Sequence, residues 1–348
     1  MFTQTLIRRA ARRPLLELLL GPHGVDRYTE LVDPLWTTET RATVTAVRRD
    51  TPRSVTLTLQ PNHPLTHRAG QHVTLAVEID GRRHQRCYSP ANAEGDDGLE
   101  LTVARHDGGT VSEHLFRHAR PGMVVGLSAP AGDFVLPDTR PRRLLLIAGG
   151  SGITPVLSMV RTLRREGHDG QVAVLHYVRT LADACYRDEL AATPGVRVLY
   201  AATREAEGDL HGHLCAEHLK AAMADPDAVY VCGPPALVDA VRELCPTAVA
   251  ESFAPRPFTV PDSPGGGRIT FADSGIGVDD DGRPILEQAE AAGLTPQSGC
   301  RMGICHTCTR RKTRGVVRNL TTGAVSAADD EDVQICVTVP VGDVDIAL

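Results

Sequence analysis

Three units of different class are expected along these 348 residues: an antiparallel β-barrel, a doubly wound α/β domain and a small α+β domain. Three observations predict them. Short alternating strands broken by Gly and Pro fill the first third, strand–helix alternation fills the middle, and a cysteine-dense block of about eighty residues closes the chain. A chain of this length accommodates two or three separate cores.

Residues 1–36 read as a helical arm, with Leu6, Ile7, Ala10 and Ala11, then Leu15, Leu16, Leu18 and Leu19, at helix-like spacing. Arg8, Arg9, Arg12 and Arg13 stand between them, Pro14 offers a restart and Gly21-Pro22 a stop. In residues 37–140 the segments Thr43–Val47, Ser54–Leu59, His72–Val77 and Leu99–Val103 alternate like strands, which predicts the barrel. Residues 141–255 carry the buried strand Leu144–Ala148, a Gly-rich turn, a helix from Pro155 to Glu166, and further strands at Val172–Tyr177 and Val229–Cys232. That order predicts a doubly wound sheet. Residues 256–267, Pro-rich and ending Gly265-Gly266-Gly267, form a linker, and residues 268–348 form the last domain.

Composition excludes several function classes. A net charge of −6 and the absence of a basic stripe argue against nucleic acid as a partner. The longest apolar run of the arm, Leu15 to Leu20, is interrupted by Glu17 and is too short to span a bilayer. No apolar h-region with a small-residue cleavage site follows the basic start, so a secretory signal is not expected and the cytoplasm is. The nine cysteines are an odd count with three packed between 300 and 308, a pattern of metal binding in a reducing compartment.

Cys300-x4-Cys305-x2-Cys308 with a distant Cys336 is the plant-type [2Fe–2S] spacing. Gly299 and Gly303 let the loop backbone wrap closely and aim amides at sulfur. The alternative is structural zinc, but such sites pair two two-ligand halves, whereas here Cys300 is offset and Cys336 stands alone. Gly282–Gly293 reads as a helix before the loop, and Gln334–Pro340 as a strand carrying the fourth ligand.

In the barrel block, Arg86-Cys87-Tyr88-Ser89 offers what a flavin needs: an aromatic face (Tyr88), a hydroxyl near the ring (Ser89) and positive charge for phosphate (Arg86). Gly109, Thr110, Val111 and Ser112 at a helix start would cradle that phosphate on backbone amides. After Ala148, Gly149-Gly150-Ser151-Gly152-Ile153-Thr154-Pro155 departs from a strict GxGxxG yet keeps its logic of close backbone approach and a helix N-terminus facing pyrophosphate. Pro155 is expected to open the helix at its first position. Cys87, Cys185, Cys215 and Cys245 have no partner pattern and read as ordinary cysteines, and the fourteen histidines are not read as metal ligands.

These motifs, in this order, resemble the ferredoxin–NADP reductase superfamily, and the last block resembles plant-type ferredoxins. The order flavin, nicotinamide, ferredoxin is similar to that of phthalate dioxygenase reductase and phenylacetyl-CoA epoxidase reductase. With its added arm, the chain looks most like the electron-transfer partners of stearoyl-CoA desaturases. The resemblance implies an NAD(P)H-dependent reductase passing electrons through flavin and [2Fe–2S] to an oxygenase or a desaturase. It implies FAD rather than FMN. Ser89 and Cys232 are then the catalytic residues, with Cys232-Gly233-Pro234 beside the nicotinamide, Gly150, Gly152 and Thr154 on the nucleotide, and Phe253 of Glu251-Ser252-Phe253 near the rings. NADPH is expected over NADH, because Thr203-Arg204 resembles the Ser-Arg pair of NADPH-specific relatives; Arg179 would assist, and Glu205 facing the ribose is the opposite reading.

The arm adds an expected association with the inner membrane surface, through Leu-rich burial and attraction of its arginines to anionic headgroups. Packing of the arm on the rest of the protein is the alternative. A reductase of a soluble mono- or dioxygenase, and a stand-alone oxidase or quinone reductase using the same cofactors, are the rival functions.

Overall fold

The computed structural model describes residues 40–253 and 266–348. The arm expected over 1–36 and nearly all of the linker expected over 256–267 lie outside them. Among the described residues no helix is long and apolar enough to cross a membrane.

The first unit holds β1 (Arg41–Thr51), β2 (Ser54–Pro61), β3 (Val73–Ile79), β4 (Arg82–Tyr88), β5 (Leu99–Ala104), α1 (Thr110–His118) and β6 (Val124–Leu127). Its strands pair antiparallel in the order β4-β3-β6-β1-β2-β5. A bridge between Pro90 and Leu101 joins the two edges and closes the sheet. Val44, Leu57, Leu75, Leu101 and Val103 fill the interior, and Leu115 of α1 plugs it. β4 was not legible as a strand: Arg-Arg-His-Gln-Arg-Cys-Tyr has no apolar alternation because most of it faces outward. It is nonetheless fully laddered to β3, from Val73↔Tyr88 to Ile79↔Arg82.

The second unit holds β7 (Arg143–Gly149), α2 (Ile153–Arg165), β8 (Gln171–Val178), α3 (Arg187–Ala191), β9 (Val196–Ala202), β10 (Leu210–His211), α4 (Ala216–Ala222), β11 (Ala228–Cys232), α5 (Pro235–Leu244) and β12 (Val249–Glu251). The sheet is parallel, in the order β10-β9-β8-β7-β11-β12. β7 reads as one continuous apolar run because both faces are buried. Leu144 and Leu146 pack with Val156 and Leu157 of α2, while Leu145 and Ile147 pack with Val238 and Val241 of α5. Pro155 sits at the third position of α2, not the first, since the helix starts at Ile153 after a single 3-10 turn over Gly150–Gly152. A proline is tolerated there because first-turn N–H groups have no intrahelical partner.

α2 also bolts the second unit to the barrel. Ser158 Oγ donates to Asn92 O at 2.7 Å, and Arg161 Nη1 donates to Ala91 O and to the Glu100 carboxylate, each at 3.0 Å. Gly149 and Cys232, at the carboxyl ends of β7 and β11, share a cleft with Arg86, Tyr88 and Ser89, so the barrel faces the carboxyl end of the parallel sheet.

The third unit holds β13 (Arg268–Phe271), β14 (Ile276–Asp279), α6 (Ile285–Ala291), β15 (Thr309–Asn319), β16 (Val325–Ser326), β17 (Glu331–Gln334) and β18 (Thr338–Ile346). Its sheet runs β14-β13-β18-β15-β16, with β17 on β15. Ile269, Phe271, Ile285, Leu286, Val317, Val344 and Ile346 make its core. The helix before the cysteine loop is shorter than the expected 282–293, because Gly282 and Gly293 have positive φ and serve as its flanking turns. Cys336 does not lie in a strand as expected. It occupies a tight turn between β17 and β18, closed by Val337 N–H donating to Gln334 O at 3.1 Å, which frees its side chain from the ladder.

Candidate functional site

The ends of β7 and β11 set the geometry. Ala148 and Cys232 are paired in register, so the Gly-rich turn and the Cys232-Gly233-Pro234 turn leave the sheet side by side. Strand order reverses direction here, the place where open α/β sheets bind ligands. The two turns touch backbone to backbone. A Cβ on Gly152 would meet Cys232 O at 2.0 Å, and one on Gly149 would meet Pro234 Cδ at 2.6 Å. Gly150 adopts φ +54°, and its carbonyl accepts a hydrogen bond from His176 Nε2 at 3.0 Å. His176 is fully enclosed, and burial holds its pKa down to about 4, so the ring is neutral at pH 7. Sequence reasoning missed it; the signal was one polar residue inside the apolar strand Val172–Tyr177.

Two clefts meet at these turns. A larger one, of about 760 Å³, runs past Gly150 and Ser151 to Arg179, Thr203 and Arg204 at the ends of β8 and β9. Arg204 N–H donates to Arg179 O at 3.0 Å, which sets the two arginines together. Glu205 turns elsewhere: its carboxylate accepts from the Leu181 backbone N–H at 2.5 Å. The alternative that Glu205 faces a ribose therefore competes with a backbone contact already made.

The second cleft, of about 370 Å³, gathers residues from all three units. The barrel contributes Arg86, Tyr88 and Ser89 and the α1 start from Gly109 through Thr110 and Val111 to Ser112; the parallel sheet contributes Gly152, Thr154, Cys232, Gly233 and Phe253; the cysteine loop contributes Cys300, Arg301 and Met302. Gly150 and Arg204 line the larger cleft instead. Every residue expected to contact a flavin or nicotinamide thus lies on one of two joined clefts.

The lining fits a flavin. Ser89 Oγ is buried with no partner in the protein, and so are Ser252 Oγ and Glu251 Oε2, the residues just before Phe253 in the chain. α1 has no side-chain cap, so its first-turn amides are left to a ligand. A Cβ on Gly109 would meet Ser112 Oγ at 2.5 Å, and that hydroxyl accepts from His106 N–H at 3.2 Å, which fixes the turn. Burial pushes the Tyr88 hydroxyl above its ordinary pKa, keeping the ring neutral. Burial, then the nearby Glu251, raises the Cys232 thiol well above its ordinary value, so it is neutral and not a nucleophile. Glu251 is itself raised by burial, against His72, whose Nδ1 stands 3.3 Å from Glu251 Oε1. His72 meets Phe253 edge to face, with centroids 5.6 Å apart. His72 and Glu251 were not singled out from the sequence, because the first sits just ahead of β3 and the second is 179 residues away.

The four loop cysteines form two pairs. The neighbouring Cys300 thiol lowers the Cys305 pKa and Cys305 raises that of Cys300; Cys308 is lowered and Cys336 raised by each other in the same way. Among the described residues no three His, Cys, Asp or Glu side chains converge on one ion position. Two sulfurs on each of two irons is the arrangement of a [2Fe–2S] centre, whereas zinc draws four ligands to one point. Backbone amides already aim at the sulfurs, Cys300 N–H at Cys305 Sγ (3.2 Å) and Met302 N–H at Cys300 Sγ (3.3 Å). Arg301, Gly303 and His306 hold positive φ to make this wrap. His114 and His118, one turn apart on α1, are a histidine pair that sequence reading passed over, and among the described residues they gather no third ligand.

Comparison with known proteins agrees with this geometry. Residues 42–136 match the oxidoreductase FAD-binding domain family, 146–243 the oxidoreductase NAD-binding domain family, and 269–341 the 2Fe-2S iron-sulfur cluster binding domain family. An NADPH oxidoreductase of Mycobacterium tuberculosis is 35% identical over 96% of this chain and 91% of its own length. A component of the 1,2-phenylacetyl-CoA epoxidase of Escherichia coli is 29% identical over 79% of this chain and 87% of its own. Phthalate dioxygenase reductase has the same fold, with TM-score 0.61 and 24% identity, covering 88% of this chain and 97% of that one.

Proposed function

This chain belongs to the ferredoxin reductase-type oxidoreductases in which FAD- and NAD-binding domains precede a C-terminal [2Fe–2S] domain, and we propose that it takes hydride from NADPH and passes electrons to an oxygenase. The observation that carries this reading is the cleft shared by Tyr88 and Ser89, Gly152 and Cys232, and Cys300 and Met302. One cavity thus serves three cofactors. When bound, FAD turns a two-electron hydride donor into a source of single electrons for the cluster.

The residues divide the remaining work. Gly150, Gly152 and Thr154 admit the nucleotide pyrophosphate to the α2 N-terminus, and Arg204 with Arg179 pairs the 2′-phosphate. Cys232 and Gly233 would hold the nicotinamide, with Phe253 as an aromatic neighbour of the ring site. Tyr88 would hold the flavin ring, Ser89 would offer it an unpartnered hydroxyl, and Arg86 with Gly109, Thr110, Val111 and Ser112 would receive the flavin phosphate. Cys300, Cys305, Cys308 and Cys336 hold the cluster. The name of the Mycobacterium tuberculosis relative supports NADPH.

The names of the epoxidase component and the phthalate dioxygenase reductase support an oxygenase as electron acceptor. A narrower acceptor, a membrane-embedded fatty-acyl desaturase reached at the membrane surface, is supported by the whole-chain resemblance and by the basic, Leu-rich residues of 1–36. Anaerobic titration with NADPH, followed by flavin absorbance and by electron paramagnetic resonance of the cluster, tests the chain of carriers. Both centres should reduce; a flavin that reduces while the cluster stays oxidised overturns the order. Turnover assays with a soluble oxygenase, and with desaturase-containing membranes, then separate the two acceptors, and rapid reduction of oxygen or a quinone alone would favour a stand-alone oxidase.

A further inference from the structure

β4 of the barrel lies directly against the cysteine loop. Arg86 Nη1 donates to Gly299 O at 3.1 Å, and Thr307 Oγ1 donates to Gln85 Oε1 at 3.1 Å. Gly299 is pressed between the two: a Cβ there would meet Cys305 Sγ at 2.7 Å and Gln85 Oε1 at 3.3 Å. Cys87 sits inside this joint. Strand alternation puts it on the same face as Gln85, the face against the loop, and it is only 5% exposed. The residue lines the same cleft as Cys300 of the loop. On its other side stands Thr74 Oγ1, at 3.6 Å. Cys87 is therefore not an ordinary core cysteine.

We propose that Cys87 is a positioning residue for the iron–sulfur centre, donating its S–H to the sulfur of Cys300 or Cys305 while accepting from the Thr74 hydroxyl. The inference rests on the cluster assignment made above. Electron entry adds negative charge that spreads onto the cysteine sulfurs, and each hydrogen bond to a sulfur favours the reduced form. The Cys300 and Met302 amides act in this way from within the loop. Cys87 does so from the flavin domain, so docking of the two domains and the potential of the cluster are tied together.

The test is a potentiometric titration of the full-length holoprotein, monitored by the resonance signal of the reduced cluster, after iron and labile sulfide have been counted. In Cys87→Ala the cluster should load fully, and its reduced-to-oxidised ratio at the wild-type midpoint should fall about three- to tenfold, or about 30–60 mV for a one-electron couple. Cys87→Ser, which keeps a donor, should hold the ratio near that of the wild type. A fully loaded Cys87→Ala with an unchanged midpoint overturns the proposal. So does an equal fall in the Ala and Ser variants, which would report packing alone. Should Cys87→Ala load poorly, Thr74→Val carries the test: the midpoint should fall by a smaller step, and no fall overturns the relay. Wild-type protein without labile sulfide would instead remove the cluster assignment, a distinct result.

Discussion

His176 Nε2–H donates to the carbonyl of Gly150 at 3.0 Å, so a buried strand side chain holds the Gly-rich turn that follows β7. Its other nitrogen, Nδ1, is buried with no partner, and the ring gains nothing from a second proton.

A pH dependence follows from this pair. Burial lowers the His176 pKa from 6.5 to about 4. A group whose folded-state pKa is depressed supports stability fully above its unfolded value and loses that support as pH falls through the folded one. The window is therefore pH 6.5 down to about 4, across which the loss is about 3 kcal/mol. Urea midpoints measured over this window should flatten in His176→Gln, which keeps an N–H donor and does not titrate. An acid slope as steep as that of the wild type would mean that other histidines carry it.

On the proposed reading, nucleotide choice is decided where β8 and β9 end. Arg179 and Arg204 are joined through the Arg204 N–H, while the Glu205 carboxylate is spent on the Leu181 amide. Arg204→Ala should lower kcat/KM for NADPH about 10- to 100-fold, the worth of one charge-assisted bond of about 1.5–3 kcal/mol, with little effect on NADH. Equal losses with both nucleotides would place Arg204 outside the 2′-phosphate contact. Glu205→Gln should alter the Leu181 turn without inverting the preference.

Much of this was legible because the motifs are local. The cysteine spacing, the Gly-rich turn after Leu144–Ala148 and the Arg86–Ser89 stretch each put their chemistry within a few residues. What stayed hidden is set by tertiary contact. β4 carries no strand pattern because its outer face meets solvent and the cysteine loop. His72 and Glu251 meet only when the barrel docks on the sheet. Cys87 looked ordinary because Cys300, with which it shares a cleft, lies more than two hundred residues away in another unit. The turn around Cys336 was hidden by the β-rich residues on either side of it, which read as one strand.

Cys336→Ala should leave no [2Fe–2S] cluster, because Cys308 loses its pair partner and one iron its second protein sulfur. Flavin reduction by NADPH should persist, since the residues proposed to hold the nucleotide and the flavin belong to the other two units. Loss of both activities together would mean that the cluster domain is needed for the rest to fold.

Arg86→Met should have two effects at once. The side chain lines the flavin cleft and also donates to Gly299 O of the cysteine loop. Flavin retained through gel filtration should drop, with affinity about 10- to 100-fold weaker for a lost charge-assisted bond. Flavin-to-cluster transfer, followed by stopped flow in flavin-saturated protein, should also slow. Normal transfer in the saturated variant would show that the Gly299 contact does not hold the loop.

Lys312 supplies the last prediction, a structural one. It is one of two lysines in the chain and is fully buried, in an environment where an ammonium is tolerated only if its donors are used. Gly315 O accepts at 2.6 Å and Ala328 O at 2.5 Å, and the Glu331 carboxylate stands 3.0 Å away as the counter-charge. These contacts stitch β15 where its register against β18 shifts, between Lys312 and Arg314 and again between Gly315 and Val317. The bulge is fixed by Gly315, whose φ of +97° and closeness to Asp343 O exclude a side chain. Lys312→Met keeps the stem and removes the charge, leaving two carbonyls without a donor and Glu331 without its partner. Glu331 retains some exposure, so water can take over part of its contact, and the cost should be about 2–4 kcal/mol rather than more. It should appear as an earlier loss of cluster absorbance in urea, with the flavin transition unmoved. Lys312→Arg should fare no better, because the larger guanidinium does not fit a site closed on all sides. If Lys312→Met unfolds at the wild-type midpoint, the bulge is held by Gly315 and the strand ladder alone.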